Sequence, residues 1–273
     1  MSKTLYLFVT SERPDSYVNA IAHCLIQTSV ETITFVHISN VGQSAQADEP
    51  DLSAVALRNV QILMERLANG QYRYFVGENA GAVVDLAPMY TPEELVAMKQ
   101  MYAQCLQKRT KWSHRQVPYG SLREELALAN KADAESMFDV SSLSKSLLGD
   151  VVAVSILEGI SSLYALELRQ RPNFDEPWLM LLHELGTRPG RSGLKYGYVN
   201  IVNTPVFRKC SGSILVRGPR LIFPIALAFA LLVAALTDYV IRGDVTKFIE
   251  VTSIASAVAS LFSLFLNFFP ARR

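Results

Sequence analysis

Two polar segments carry the side chains that could bind a ligand in this chain of 273 residues. Hydroxyls and an ammonium group at the start of a helix favour an anion, because the first backbone N–H groups and the helix dipole point outward there. The first segment follows an apolar run and consists of Thr10, Ser11, Glu12 and Arg13. The second segment precedes a predicted helix and contains Asp139, Ser141, Ser142, Ser144, Lys145 and Ser146. We expect a phosphate group at the second segment.

Helix capping is the alternative role for these serines. Ser141 or Ser142 would accept a hydrogen bond from the first helical turn, and Lys145 would be solvated. Capping explains one serine, but it does not require Ser144, Lys145 and Ser146 as well. Both roles therefore stay open at this point.

Alternating strand and helix patterns predict how the two segments are positioned. Strands are expected at residues 3–10, 31–38, 71–76, 136–140, 162–169 and 195–202. Helices are expected at residues 15–28, 51–68, 91–108, 120–131 and 177–185, with a further helix ending at Glu158. The alternation predicts an α/β domain over residues 1–205, with a Rossmann-like, mostly parallel sheet and flanking helices. Ligands bind such sheets beyond the carboxyl ends of the strands, where both polar segments are expected.

Composition and motifs argue against several classes of function. Lys and Arg number 26 against 25 Asp and Glu, so no overall basic field favours duplex nucleic acid. Three separated cysteines and four scattered histidines give neither a disulfide framework nor metal-ligand spacing. The GxxxxGK[ST], GxGxxG and GxSxG motifs are absent. We therefore expect no catalytic residue of these types, no metal and no cofactor.

Two further segments could contact a ligand. Glu78, Asn79 and Asp85 follow the predicted strand at 71–76 and could hold a metal or a ribose, although exposed acids in loops are usually only solvated. Residues 108–115 are basic and include Trp112, so they could stack a base while contacting phosphates. A solvated helix end is the preferred interpretation of that stretch.

The arrangement of the two polar segments is similar to that of the CARF and SAVED group of Rossmann-like domains. A polar loop follows the first strand in both, and a D-x-[ST]-x-x-x-K-like turn precedes a later helix. The matching residues are Thr10, Ser11 and Glu12, followed by Asp139, Ser141, Ser142, Ser144 and Lys145. Those domains sense cyclic oligonucleotides in prokaryotic immunity. The resemblance covers residues 3–200 and implies that the ligand is a cyclic oligonucleotide or another phosphorylated nucleotide.

Two apolar runs near the C-terminus predict a transmembrane hairpin. Residues 221–241 contain one charge, Asp238, and residues 251–269 contain none. At about 1.5 Å per residue each run reaches roughly 30 Å, the thickness of the hydrocarbon core. A pair of buried core helices is the alternative, but core helices seldom stay apolar on all faces for this length.

Basic residues predict the orientation of the hairpin. Lys and Arg are frequent in the juxtamembrane linker 206–220 and at the C-terminus, whereas the connector 242–250 has only Arg242 and Lys247. The positive-inside rule then places residues 1–205 and the C-terminus in the cytoplasm of a multi-pass protein of the inner (plasma) membrane. The absence of an apolar signal of secretory length at the N-terminus agrees with this. Residues 186–237 contain basic residues and no acid, which favours contact with anionic membrane lipid.

Polar residues recur along the second span: Ser253, Ser256, Ser260, Ser263 and Asn267. Spacings of 3, 4, 3 and 4 put all five on one helix face. Such groups need partners inside a membrane, either on another helix or in water. Tight helix packing is one role for this stripe. A pore or leaky patch is the other role, and it requires the homo-oligomer that we expect.

Three functional hypotheses follow from these patterns. The leading one is a membrane-anchored sensor that binds a nucleotide second messenger and perturbs the inner membrane in anti-phage defence, since the fusion to membrane helices resembles the membrane-acting effectors of such systems. The first alternative is a nucleotide or sugar-phosphate hydrolase or transferase with the hairpin as a passive anchor. The second is a non-catalytic membrane scaffold. Turnover of a bound nucleotide would distinguish the enzyme from the sensor.

Overall fold

The computed structural model describes residues 3–28, 30–39, 51–108, 111–132, 135–171, 173–186 and 195–205, together with Phe207, Val233, Thr237 and Ser253. Contacts divide the chain into two units, Met1–Val202 and Asn203–Arg273. The fold described below is that of the first unit.

Strands in the described residues form two sheets. Their bounds are β1 (Lys3–Val9), β2 (Val30–Ser39), β3 (Gln71–Arg73), β4 (Val83–Asp85), β5 (Trp112–Pro118), β6 (Met137–Asp139), β7 (Leu163–Leu168) and β8 (Tyr196–Asn200). The large sheet has the order β5-β2-β1-β6-β7-β8, and β3 pairs with β4 separately. Neighbours in the large sheet are parallel except β7 and β8, which are antiparallel. Counted along the chain, the strands of the large sheet lie in the order 3-2-1-4-5-6 of a Rossmann sheet. The predicted α/β class with a mostly parallel sheet is confirmed.

Helices cover both faces of the large sheet, as predicted. Their bounds are α1 (Asp15–Gln27), α2 (Leu52–Ala68), α3 (Pro92–Gln107), α4 (Leu122–Ala132), α5 (Lys145–Glu158) and α6 (Leu182–Leu185). One core lies beneath α1, α2, α3 and α6, and the other lies beneath α4 and α5. In β1, Leu5 and Leu7 belong to the first core and Phe8 to the second, because successive side chains of a strand point to opposite faces. Each such fully buried side chain stabilises the fold by roughly 1.5–3 kcal/mol.

Local signals begin and end these helices where the sequence predicts. At the start of α3 the Glu94 N–H donates to Thr91 Oγ1 (3.3 Å), and the Thr91 N–H donates to Glu94 Oε2 (3.1 Å). This reciprocal pair is a capping box. Gly159 ends α5 with a φ of 67°, a left-handed conformation that glycine adopts without strain.

The strand predicted at 71–76 is not part of the large sheet. It ends at Arg73, and the chain turns back into β4. Gly77 and Gly81 lie in this turn with φ values of 82° and 89°. Their left-handed backbone produces a local hairpin where a crossover to the main sheet had been expected.

The basic stretch at 108–115 was predicted to be a helix end, and that prediction is wrong. Helix α3 ends at Gln107, and residues from Trp112 onward form β5, the edge strand beside β2. Strands of parallel sheets usually read as continuous apolar runs. This edge strand has a neighbour on one side only, and Val117 is its only buried residue. Its polar sequence therefore did not indicate a strand.

The predicted membrane segments fall mostly outside the described residues. Among the residues that are described, no helix is long and apolar enough to cross a bilayer. The linker 206–220 and the spans 221–241 and 251–269 lie outside them, except for Phe207, Val233, Thr237 and Ser253. Ser256, Ser260, Ser263 and Asn267 of the polar stripe also lie outside, and Ser253 is helical and exposed. The hairpin and its stripe stay predictions.

Candidate functional site

The two polar segments meet at the carboxyl edge of the large sheet. Strands β1 and β6 are neighbours, and the strand order reverses between them, which is where open α/β sheets bind ligands. The Thr10 hydroxyl donates to the Ser142 carbonyl (2.8 Å), and the Ser142 hydroxyl donates to the Phe8 carbonyl (2.5 Å). These bonds join segments that are more than 130 residues apart in sequence. We call the two segments, 10–13 and 140–146, the switch-point loops.

A tyrosine that sequence reasoning did not single out holds the first switch-point loop. The backbone N–H groups of Thr10 and Ser11 donate to Tyr17 Oη at 3.1 and 3.0 Å. The same hydroxyl donates to the Ser11 carbonyl at 2.9 Å. Tyr17 itself is fully buried in α1. The amides of Thr10 and Ser11 are therefore bound to the protein.

Predicted ligand residues of the second segment also bind the protein itself. The Ser141 N–H donates to Asp139 Oδ1 (3.0 Å), and Ser141 Oγ accepts from the Leu166 N–H of β7 (2.8 Å). The capping role falls to Ser144, whose Oγ accepts from the Leu147 N–H at 3.5 Å. The prediction that Ser141 or Ser142 would cap this helix is wrong, because α5 begins at Lys145, farther along the chain.

Exposed polar groups remain on both loops. Thr10, Glu12 and Arg13 are exposed on the first loop, and Ser144 and Lys145 are exposed on the second. The Ser144 and Ser146 hydroxyls lie 3.1 Å apart at the start of α5. The side chains of Arg13 and Lys145 thus provide cationic groups on the two loops that meet at the switch point.

Asp139 is a buried carboxyl beneath the second loop. It is 1% exposed, and this burial raises its pKa to about 6. The Tyr198 hydroxyl lies close enough to favour the ionised form, but no hydrogen bond of normal geometry joins it to Asp139 Oδ2. Because Asp139 is buried and its ionised form is an anion, it is unsuited to contact a phosphate, which is also an anion. Its observed contact, with the Ser141 N–H, gives it a role in shaping the loop.

A cavity of about 410 Å³ opens beside the switch-point loops. It lies at the carboxyl edge of the sheet, because Arg13 follows β1 and Leu168 ends β7, and both line it. Its aromatic wall consists of Tyr72, Tyr74 and Phe75, and Phe174 stands at its rim. The volume falls in the range of small-ligand sites.

The half-buried Asp15 and the buried Asn19 line the same cavity. Asp15 Oδ1 accepts from the Tyr72 hydroxyl (2.8 Å), and burial raises the pKa of Asp15 above its usual value. Asn19 is 6% exposed and donates from Nδ2 to the Met180 carbonyl (2.8 Å). Its Oδ1 has no hydrogen-bond partner among the described residues. Asn19 interrupts the apolar pattern of α1, and this is the feature of the sequence that could have indicated the cavity.

No family model, no curated protein and no solved structure matches this chain. The resemblance to the CARF and SAVED group stays a prediction that depends on the switch-point loops. The function is therefore inferred from the chemistry of the site itself.

The two secondary candidate segments have different surroundings. Glu78 and Asn79 line the cavity, whereas Asp85 accepts a hydrogen bond from the Ala87 N–H (3.0 Å) at the end of β4. Within the described residues, no group of three or more acidic, histidine or cysteine side chains could hold a metal ion. In β5 the side chains of His114 and Arg115 contact Asp51 and Glu125, and Lys111, which directly precedes the strand, contacts Glu31. These contacts fit a solvated edge strand with paired charges.

Proposed function

We propose that residues 1–205 bind a phosphorylated nucleotide at the switch-point loops, as the sensor domain of a membrane-anchored effector. The observation that carries the proposal is the junction of the loops after β1 and β6 at the point where the strand order reverses. Ligands of open α/β sheets bind in this crevice. The cyclic oligonucleotide implied by the resemblance to CARF and SAVED domains is a ligand of this chemical class.

The chemistry of the loops favours a phosphate. Lys145 begins α5, so its ammonium lies beside a helix start that attracts negative charge. Arg13 supplies a guanidinium, which binds phosphate oxygens in a bidentate manner. Thr10 and Ser142 join the second loop to the end of β1, and Ser141 binds β7, while Ser144 and Lys145 face solvent. Lys145 and Arg13 are therefore the side chains that we assign to the phosphate.

The proposed output is a change at the inner membrane. The predicted hairpin would anchor the protein, and several copies would bring the polar stripe of the second span together. A ligand shifts such an assembly only if it binds the active arrangement more tightly than the resting one. The effect on anti-phage defence would follow from loss of membrane integrity.

The Lys145→Glu variant tests the assigned phosphate contact. We expect it to lower nucleotide affinity about tenfold or more, because it places a negative charge where the phosphate binds. The measurement is calorimetry on the full-length protein in detergent, with the four ribonucleoside 5′-monophosphates and cyclic tetra-adenylate as ligands.

Lys131→Glu is the matched control for that variant. Lys131 is exposed in the last turn of α4, which precedes β6 and therefore ends at the opposite, amino edge of the sheet. The control should bind as the wild type does. Equal affinity of Lys145→Glu and wild type would remove this loop from the site, and absence of binding by every ligand would overturn the proposal. Chromatography of the nucleotide after incubation would reveal turnover, which would favour the hydrolase or transferase instead.

Reporter fusions test the proposed topology. A reporter after Arg273 should be active in the cytoplasm, and one inserted at Gly243 should be active outside, because the basic residues flank the two spans rather than the connector. Alkaline phosphatase and green fluorescent protein fusions give opposite signals on the two sides. The reverse pattern would contradict the orientation, and cytoplasmic signals at both positions would contradict the hairpin.

A further inference from the structure

We infer that the cavity beside the switch-point loops binds a quaternary ammonium group, the methylated cation of compounds such as choline. This inference goes beyond the proposed function, because it gives the domain a second ligand that does not depend on the nucleotide. Two properties of the cavity carry it: an aromatic and apolar surface, and a negative electrostatic environment.

Aromatic rings form one wall of the cavity. Tyr72 and Tyr74 pack edge to face with ring centroids 5.2 Å apart, and Trp178 packs against both at 5.8 and 6.4 Å. These contacts restrict the orientation of the wall. The face of an aromatic ring attracts a cation, and such a contact strengthens binding by about tenfold or more where water is excluded. Phe75 of the same wall already has a contact of this kind, since the Arg73 guanidinium lies 5.6 Å from its ring centroid.

Three apolar side chains line the cavity from exposed positions. Phe174 is 76% exposed, Leu168 39% and Val76 38%, and they come from three separate parts of the chain. Apolar side chains in solvent gain free energy when a ligand covers them. The methyl groups of a quaternary ammonium present an apolar surface that can cover them, whereas a primary ammonium is strongly hydrated.

Negative charges act on both tyrosines of the wall. Burial raises the pKa of Tyr74, and the carboxylates of Glu176 and Asp175 raise it further. Burial also raises the pKa of Tyr72, and the next cause is the charge of Asp15, which accepts from the Tyr72 hydroxyl at 2.8 Å. The aromatic wall therefore lies in a field that favours a cation.

The charged residues of the lining agree with this field. Arg13, Asp15 and Glu78 line the cavity, so one cation and two carboxylates leave a net charge of −1 when all are ionised. Burial raises the pKa of Asp15, and the Arg13 guanidinium acts in the opposite direction, so Arg13 offsets part of the Asp15 charge. Glu78 keeps its negative charge in the lining, and a bound cation would compensate it.

Binding of choline and 3,3-dimethyl-1-butanol to the full-length protein tests this inference. The two ligands have the same shape, and only choline carries a charge. We expect choline to bind about tenfold or more tightly, because a cation gains from the aromatic faces and a neutral group does not. The measurement is calorimetry in an uncharged maltoside detergent without nucleotide.

Two variants separate the ring and the charge from the apolar area. Phe174→Leu and Glu78→Gln change exposed side chains, so the fold is retained. Each should lower the affinity for choline about threefold or more and leave that for 3,3-dimethyl-1-butanol unchanged. Glu93→Gln is the matched control, because Glu93 is an exposed acid in the first turn of α3 and does not line the cavity. It should bind choline as the wild type does.

Glycerophosphocholine distinguishes the sources of the cation. Tighter binding of this compound than of choline would support the site and identify a lipid headgroup as the source, whereas tighter binding of choline would support a free cation.

Three results would overturn the inference. Equal affinities for choline and its neutral analogue would show an apolar pocket without a preference for charge. Choline binding that neither Phe174→Leu nor Glu78→Gln alters would place the cation elsewhere. Absence of choline binding at millimolar concentration would exclude the site. Nucleotide affinity and its loss in Lys145→Glu enter none of these results, so either proposal can fail without the other.

Discussion

The Asp139→Asn variant is expected to have a free energy of unfolding about 3 kcal/mol higher than that of the wild type at pH 8, a difference that nearly vanishes by pH 4. Asp139 is buried beneath the second switch-point loop, and Ser141 is the one hydrogen-bond donor that it has in the described structure. Asparagine has the shape of the protonated carboxyl and cannot ionise. The Oδ1 atom of the asparagine can still accept the hydrogen bond from the Ser141 N–H.

The sign of this effect follows from the fact that the folded state binds the Asp139 proton more tightly than the unfolded state does. Burial raises the pKa of Asp139 from 3.8 to about 6 in the folded protein, so the native state binds a proton over a pH range where the unfolded chain has lost it. The stability contributed by the protonated side chain is complete below about pH 3.8 and is lost as the pH rises through about 6. The wild type therefore loses stability over this window, and the asparagine variant does not.

Urea unfolding followed by tryptophan fluorescence measures this difference. The chain has two tryptophans, Trp112 and Trp178, and both belong to the first unit, so the signal reports on the sheet and its helices. Asp85→Asn is the matched control. Asp85 also accepts a hydrogen bond from the backbone N–H two residues later in the chain, but its side chain is exposed. A difference between Asp139→Asn and wild type that stays constant from pH 4 to pH 8 would contradict the buried carboxyl.

The Tyr17→Phe variant is expected to lower the free energy of unfolding by about 2 kcal/mol. The missing hydroxyl takes away the acceptor of the Thr10 and Ser11 amides and the donor to the Ser11 carbonyl. Leaving partly buried backbone groups without a partner costs more than the net gain of the bonds that were made. The first switch-point loop should also lose its fixed shape, and nucleotide affinity should fall with it.

Tyr119→Phe is the control for that loss. Its hydroxyl donates to Asp150 Oδ2 at 2.9 Å on an exposed surface, so removing it should change the free energy of unfolding by less than about 0.5 kcal/mol. The same fluorescence measurement serves both variants. Equal stability of Tyr17→Phe and Tyr119→Phe would show that water replaces the tyrosine in the loop.

Sequence patterns predicted the parts of the fold that local physics determines. The start of α3 and the end of α5 lie close to their predicted positions, because the capping pair Thr91 and Glu94 and the left-handed Gly159 determine them through neighbouring residues only. The apolar runs of β1, β2 and β7 form buried or half-buried strands, and these strands lie near their predicted positions. Strand β5 was missed because its position at the sheet edge, which only the tertiary fold decides, removes the need for apolar residues.

The meeting of the switch-point loops was also predictable, since parallel strands place their carboxyl ends at one edge. The role of each serine was not, because Ser141 and Ser142 bind backbone groups of β7 and β1, far away in sequence. The cavity was not predictable either, because residues from distant parts of the chain line it. Tyr72, Asn19 and Phe174 come from three separate parts of the chain, and no spacing rule joins them.

The antiparallel direction of β8 determines where the chain leaves the sheet. Strand β7 ends at the edge that holds the switch-point loops, and β8 runs back, so Asn200 lies beside Tyr164 and donates from Nδ2 to the Ser161 carbonyl at the opposite edge. A strand of six residues spans about 20 Å. The end of β8 therefore lies about one strand length away from the switch-point loops. The ladder between β7 and β8 therefore fixes the end of the sheet's last strand at the edge opposite the switch-point loops.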